Sequence, residues 1–279
     1  MLYLPWRALA ANRQVRQGAG LSLLVIGLAL AGPLLAPHGA SELLGPVYGA
    51  PSAGAPLGYD YLGHDVLSRV LVGGWSVVWM ALAAASLALL VGAGLGLLAG
   101  FSRGPLDRLI RWSADLSLAF PELILVLLVV SLLGREPWLI VLTVAFAFLP
   151  GMIRQTRAST QAVVEQEFIE VLRAMGLPRR HLLLREVLPN ILTPMLVHFG
   201  SMLTWAIGIL SGLSFLGYGV APPAADWGLM ISENQGGLVL QPWAVLVPAL
   251  LIVGVFAYAS NMLAEGIGRV RAGVLEHTP

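Results

Sequence analysis

Two absences bound the chemistry of this chain before any motif is considered. All 16 basic side chains are arginine, and there is no cysteine. Without lysine the chain can build neither a P-loop, whose Lys sits on the β/γ-phosphates, nor a Schiff-base centre. Without cysteine it has no thiolate nucleophile, no disulfide and no Cys-ligated zinc or iron–sulfur site. Among the residues that remain, Asp60, His64 and Asp65 are close enough to hold a metal such as nickel. A metal site normally needs three or four converging ligands, so a short Asp/His set in a loop is expected to be merely solvated. Asp115 and Glu122 lie seven apart on one helical face, and His198 follows near the end of a later apolar run. Ionisable groups inside apolar segments are functional candidates. Arg111 supplies Asp115 with an i, i+4 ion-pair partner, which leaves Glu122, next to Pro121, as the candidate for lining a path; His198 reads as a packing residue. No G-x-S-G, H-E-x-x-H or paired-Asp signature is present, so neither a catalytic nor a metal site is expected, and an intramembrane protease is disfavoured.

The elements that must carry these residues are membrane spans. Of 279 residues 57% are apolar and 11% charged, with a mean hydropathy of +0.82, against about 25% charged in soluble domains. A bilayer core takes about 20 consecutive apolar residues per helix, and six stretches qualify, near 20–36, 72–101, 113–133, 138–153, 194–217 and 242–264. The third and fourth are separated only by Gly134–Pro137 and read as a helical hairpin. Gly92, Gly96 and Gly100 recur on one face of the second, a spacing that lets helix backbones approach closely. The first span, preceded by three arginines, has features of a secretory leader, but its polar region is long and no A-x-A site follows Leu35.

The positive-inside rule orients the set. With the N-terminus inside, Arg7, Arg13, Arg16, Arg103, Arg108, Arg111, Arg154, Arg157, Arg173, Arg179, Arg180, Arg185, Arg269 and Arg271 are cytoplasmic, and only Arg69 and Arg135 lie outside. A net charge of +1 argues against a nucleic-acid partner.

Residues 154–193 interrupt this apolar protein with a polar, amphipathic connector too long to be idle. Phe168, Ile169, Val171, Leu172 and Met175 form an apolar stripe at helical spacing, with Glu167, Glu170 and Arg173 on other faces. Gly176 suits a left-handed C-cap and Pro178 the first turn of a second helix carrying Leu182, Leu183, Leu184, Val187 and Leu188, which Pro189 would end or kink. By composition, such a segment can lie in the lipid interface or fill a groove on a soluble partner.

The sequence of this loop, QEFIEVLRAMGLPRRHLLLREVLPNI, resembles the EAA loop of ABC importer permeases, about residues 166–190. Glu170, Ala174, Gly176, Leu188, Pro189 and Asn190 match that pattern, while Val171 and Leu172 stand in place of its two alanines. LGYDYLGHDVLSR at 57–69 is similar to the segment before the second span in C-type permeases of dipeptide, oligopeptide and nickel importers, which usually carry Arg where this chain has His64. LSFLGYGVAPPAADWG at 213–228 and SNMLAEGIGR near the C-terminus are similar to the same family, in the same order along the chain.

The resemblance implies an all-α polytopic membrane protein of six transmembrane helices with the fold of a type I ABC importer permease. It divides the chain into 1–74 (N-terminal segment, first span and extracytoplasmic segment), a permease core at 75–265 and a tail at 266–279. It implies a bacterial inner-membrane location with both termini cytoplasmic. The partners it implies are a homologous B-type permease, two ATPase subunits, an extracytoplasmic solute-binding protein and membrane lipid. ATP and magnesium would be bound by the ATPases, with no cofactor on this chain. Residues 166–176 would be the coupling helix, with Phe168, Val171 and Leu172 seated in an ATPase groove, Gly176 permitting the turn, and Glu170, Ala174, Leu188 and Pro189 completing the motif. The loop 218–241, with Pro222, Pro223, Asp226, Trp227 and Glu233, suits either a dock for the binding protein or, preferably, a cap over the pore. The alternative to all this is a secondary transporter working without an ATPase, although no internal repeat supports one.

Overall fold

The computed structural model describes residues 6–102 and 104–276; residues 1–5, Arg103 and residues 277–279 lie outside it, as do the side chains of residues 6–8, 253 and 271–276, Arg7 and Arg271 among them. The helices are α1 (Trp6–Ala11), α2 (Arg13–Leu35), α3 (Val66–Ser102), α4 (Pro105–Ser117), α5 (Glu122–Leu133), α6 (Pro137–Val164), α7 (Glu167–Ala174), α8 (Arg179–His181), α9 (Leu188–Phe215), α10 (Trp227–Asn234), α11 (Trp243–Ala249) and α12 (Tyr258–Glu276). Among the described residues the only β pairing is two isolated bridges, Leu43–His64 and Tyr59–Asp65.

Five continuous helical segments are long and apolar enough to cross a bilayer: Arg13–Leu35, Val66–Ser102, Pro137–Val164, Arg179–Phe215 and Trp243–Val270. Five of the six expected spans fall inside them to within two residues, and the bent pair α4–α5 makes the sixth if it is counted as one span. The stretch 113–133 does not form one helix. It straddles a break between α4 and α5, whose axes differ by 79°. Pro121 explains the break, because it lacks an N–H and disfavours helical geometry at the residue before it. A hydropathy window sees only the apolar run. The expected hairpin is present: α5 ends at Gly134, at φ +106°, and α6 opens with Pro137 in its first turn.

The glycine seam packs where close approach is needed. A Cβ on Gly92 would lie 2.8 Å from Met152 Cβ, on Gly96 2.6 Å from the Ile153 carbonyl oxygen, and on Gly100 2.7 Å from Thr160 Cβ. These contacts weld α3 to α6, the most extensive helix pair of the bundle, and the core runs continuously from Val77 and Ala84 through Val144 to Ile207.

Pro189 does not end its helix. The helix runs unbroken from Arg179 to Phe215, with Leu182–Val187 wound as a π-helix in which the Leu188 N–H donates to the Leu183 carbonyl. Proline removes one donor from the α ladder, and local re-registration to i→i+5 accommodates the loss. The second half of the connector is therefore continuous with the fifth span.

Asp60, His64 and Asp65 are not solvated. They are buried at the bundle end opposite the connector, and among the described residues no group of three potential ligands could hold a metal. Asp65 caps α3, accepting from the backbone N–H groups of Leu67 and Ser68. Arg69, buried nearby, donates to Asp60 at 2.6 Å and to Glu233 of α10 at 3.0 Å, while the Tyr61 N–H donates to Asn234 Oδ1 at 3.0 Å. Residues 58–65 are thereby fastened to α10.

Candidate functional site

The connector builds its first helix, α7, from local rules. Glu167 and Glu170 occupy the first turn and Arg173 the last, each complementing the helix dipole. Gly176, at φ +81°, closes it: its N–H donates to the Arg173 carbonyl and the Leu177 N–H to that of Leu172, a Schellman cap.

The expected stripe is divided by the fold. Ile169 is fully buried and joins the core with Val164, Val187 and Ile191. Phe168, Val171 and Met175 point away, 38%, 58% and 71% exposed, and Leu172 is half-buried between the two sets. Glu170 and Ala174 are exposed on the adjoining flank, Leu188 is half-buried and Pro189 exposed. The Arg173 guanidinium lies over the Phe101 ring, 5.9 Å from its centroid, tying α7 to the end of α3. The result is an apolar knob held from behind by one buried anchor.

The α6 stem that leads into α7 is braced to α4. Arg157 makes a two-point contact with Asp107, Nε to Oδ1 at 2.5 Å and Nη2 to Oδ2 at 2.8 Å. Asp107, and not Asp115, is thus the paired acid of this helix. Asp115 and Arg111 are both exposed, and among the described residues they form no ion pair with each other. An i, i+4 spacing shows that two groups can meet, whereas a bidentate partner 50 residues away is invisible to local pattern.

Glu122 lines an open cavity of about 410 Å³ together with Phe148, Gly151, His198, Ser201, Met202 and Trp205. His198, read from sequence as packing, shares that cavity and also a second of about 290 Å³ with Gln155, Thr193, Pro194, Val197, Ser201 and Gly268. The two cavities meet at His198 and Ser201 and follow α9 toward the connector. The signal that could have found His198 is its interval of seven from Trp205, two turns along the same face of α9.

At the opposite end, α10 packs on α9 and α11. Asp226 caps it, accepting from Gly228 N and Leu229 N at 2.9 and 3.1 Å and from the Ser76 hydroxyl at 2.5 Å, and Trp227 Nε1 donates to the Val70 carbonyl at 2.7 Å. Burial pushes the Asp226 carboxyl above its usual range, against those hydrogen bonds. Burial and the neighbouring Glu233 push the Tyr61 hydroxyl up to about 12, so it remains a donor to Glu233. Asp226, Trp227 and Glu233 thus belong to packed structure and not to a free loop, whereas Pro222 and Pro223 are exposed in the turn that precedes it.

An all-helical bundle of membrane-length segments, one amphipathic connector at its arginine-rich end and cavities along the adjoining helix define a membrane-embedded transport subunit. The fold agrees with that of a methionine ABC transporter, MetNI, in inward-facing conformations, with a TM-score of 0.58 at 16% identity over 73% of this chain and 95% of the other. The chain belongs to the family of binding-protein-dependent transport system inner membrane components, which matches residues 92–267. It is 32% identical over 269 residues to the glutathione transport system permease protein GsiD of Pectobacterium atrosepticum, covering 94% of this chain and 89% of the relative. It is 33% identical over 269 residues to the di/tripeptide transport system permease protein DppC of Pseudomonas aeruginosa, covering 94% and 88%. The resemblance read from 57–69, 166–190 and 213–228 is borne out, and the protein is a multi-pass permease subunit of an ABC importer.

Proposed function

We propose that this chain forms half of the translocation path of an ATP-driven importer for peptides or a related small solute, such as nickel or a metal chelate. The other half comes from a homologous B-type permease. Two ATPase subunits, which bind ATP and magnesium, dock on the arginine-rich face, and an extracytoplasmic binding protein delivers cargo to the opposite one. Both termini are cytoplasmic, residues 75–265 form the permease core, and residues 266–279 form a tail. The peptide assignment is supported by the names of the relatives, and the orientation by the arginine distribution.

The observation that carries the reading is the shape of the connector. α7 presents Phe168, Val171 and Met175 outward while Ile169 fixes it to the core, and the Gly176 cap leads within two residues to a helix continuous with the fifth span. Leu172, Glu170, Ala174, Leu188 and Pro189 shape the same knob. A displacement of α7 by closing ATPases is passed to α9 as a rigid lever, opening or closing the cavity lined by Glu122 and His198. Single-cysteine labelling tests this, since the chain has no cysteine of its own. Val171→Cys should cross-link to an ATPase subunit in the assembled transporter, with cross-linking altered by ATP. A Val171→Cys that reacts freely with water-soluble maleimide in the full assembly would remove the docking role.

A further inference from the structure

α4 has a face that neither the path nor the connector uses. Its buried side, Ile110 and Ala114, packs on Ala99 of α3 and Ile153 of α6, and Asp107 on the same side holds Arg157. The helix repeat places Leu109, Trp112 and Leu116 on the opposite side, and each is more than half exposed. Arg108, Arg111 and Asp115 are exposed along one flank; Asp115 lies within electrostatic reach of Arg157 on α6 and Arg111 within reach of Asp107, and both arginines remain open to solvent on that flank. The 79° bend at Leu118–Pro121 turns α4 crosswise to α5. With α5 entering the bilayer, α4 then lies close to the membrane plane. A Trp-centred apolar strip bordered by arginine on one side is the pattern of a helix lying in a lipid interface.

We propose that α4 docks on the anionic phospholipid surface of the cytoplasmic leaflet, with Leu109, Trp112 and Leu116 at the headgroup boundary and Arg108 and Arg111 on lipid phosphates. The leaflet assigned rests on the orientation proposed above. Through the Asp107–Arg157 contact, lipid holds the α6 stem from which the connector departs, so anionic lipid tunes uptake.

The test uses the assembled importer in liposomes. Spin-labelled Trp112→Cys, with Leu109→Cys as a second site, is read for relaxation by oxygen and by a nickel chelate, against the unsubstituted assembly. The labels should respond to oxygen at headgroup depth, and to chelate presented on the ATPase side only. Labels shielded from both reagents would mean that another protein chain covers the face, and labels fully open to chelate would mean water; either overturns the proposal. Labels at headgroup depth reached only from the binding-protein side would overturn the orientation while leaving the helix interfacial. In parallel, uptake by the unsubstituted importer should rise when phosphatidylglycerol replaces part of the phosphatidylcholine. Arg108→Glu with Arg111→Glu should abolish that rise, since each arginine near an anionic surface shifts the balance roughly fivefold. An equal rise in both would refute the arginine–phosphate contact.

Discussion

Replacing Val171 and Met175 together by alanine separates docking from folding. Burying a Val or Met side chain fully contributes about 1.5–3 kcal/mol. In the isolated chain Val171 is 58% and Met175 71% exposed, so the share left for a partner to cover sums to about 2–4 kcal/mol. Alanine keeps part of that surface and ordering the interface opposes it, yet a loss of 1.4 kcal/mol already corresponds to about tenfold in affinity. Purified permease pairs carrying Val171→Ala and Met175→Ala should therefore bind their ATPase at least about tenfold more weakly, with a melting temperature close to that of the parent. Ile169→Ala is the contrast. Ile169 is fully buried in the core, and its truncation should cost about 2–5 kcal/mol of stability. Binding isotherms and thermal melts on the same preparations decide the matter. Unchanged ATPase affinity in the double variant, or melting losses equal to those of Ile169→Ala, would refute the division of α7 into knob and anchor.

Other positions give sharper local tests. At Gly176 no neighbour would meet a Cβ, and φ is +81°, so Gly176→Val costs only backbone strain of about 1–2 kcal/mol; it should uncouple ATP hydrolysis from uptake without blocking membrane insertion, as should Glu170→Arg, while Gly176→Asn should retain most coupling. Gly96→Leu, placed 2.6 Å from the Ile153 carbonyl, should separate α3 from α6 and lower the melting temperature of the solubilised chain. Arg69→Met leaves Asp60 and Glu233 buried without their cation and should destabilise by about 3–5 kcal/mol, read as lost protection of residues 58–65 and α10 in hydrogen exchange. Burial works to raise the Asp60 carboxyl, but the hydrogen bonds from His64 and Leu62 and the charge of Arg69 outweigh it and hold the group below its ordinary 3.8. A depressed carboxyl stabilises the fold above its unfolded pKa, so this contribution should be intact above about pH 4 and fade as the pH falls through the lower folded value.

Local regularities were legible in the sequence because each rests on a local rule. Proline at 137, glycine at 134 and the run between them specify the α5–α6 hairpin, and Gly176 specifies the end of α7, whatever surrounds them. The stripe of α7 was visible as a stripe, but periodicity cannot assign Ile169 to the core and Val171 to the surface, since both lie on apolar positions and only Val164, Val187 and Ile191 distinguish them. The break in the third span was written in Pro121 and masked by averaging hydropathy across it. Pro189 misled in the opposite direction, because π-winding over Leu182–Val187 absorbs a missing donor that the α ladder could not. The Arg69 cluster and the Arg157–Asp107 clamp join residues far apart in the chain, so only the tertiary fold reveals that a charge with the look of solvent exposure is buried. His198 joins Glu122 for the same reason: α5 and α9 meet at the cavity, and neither helix carries that fact alone.

The most direct measurement compares peptide uptake into proteoliposomes by the full assembly, comprising this chain, its permease partner, both ATPases and the binding protein, with uptake by this chain and by the permease pair alone. Uptake should require the ATPases and hydrolysable ATP, and should fall with Val171→Ala and Met175→Ala in step with the loss of ATPase binding. Robust uptake by this chain without an ATPase, driven by an ion gradient, would contradict the coupling role of α7 and restore the secondary-transporter alternative.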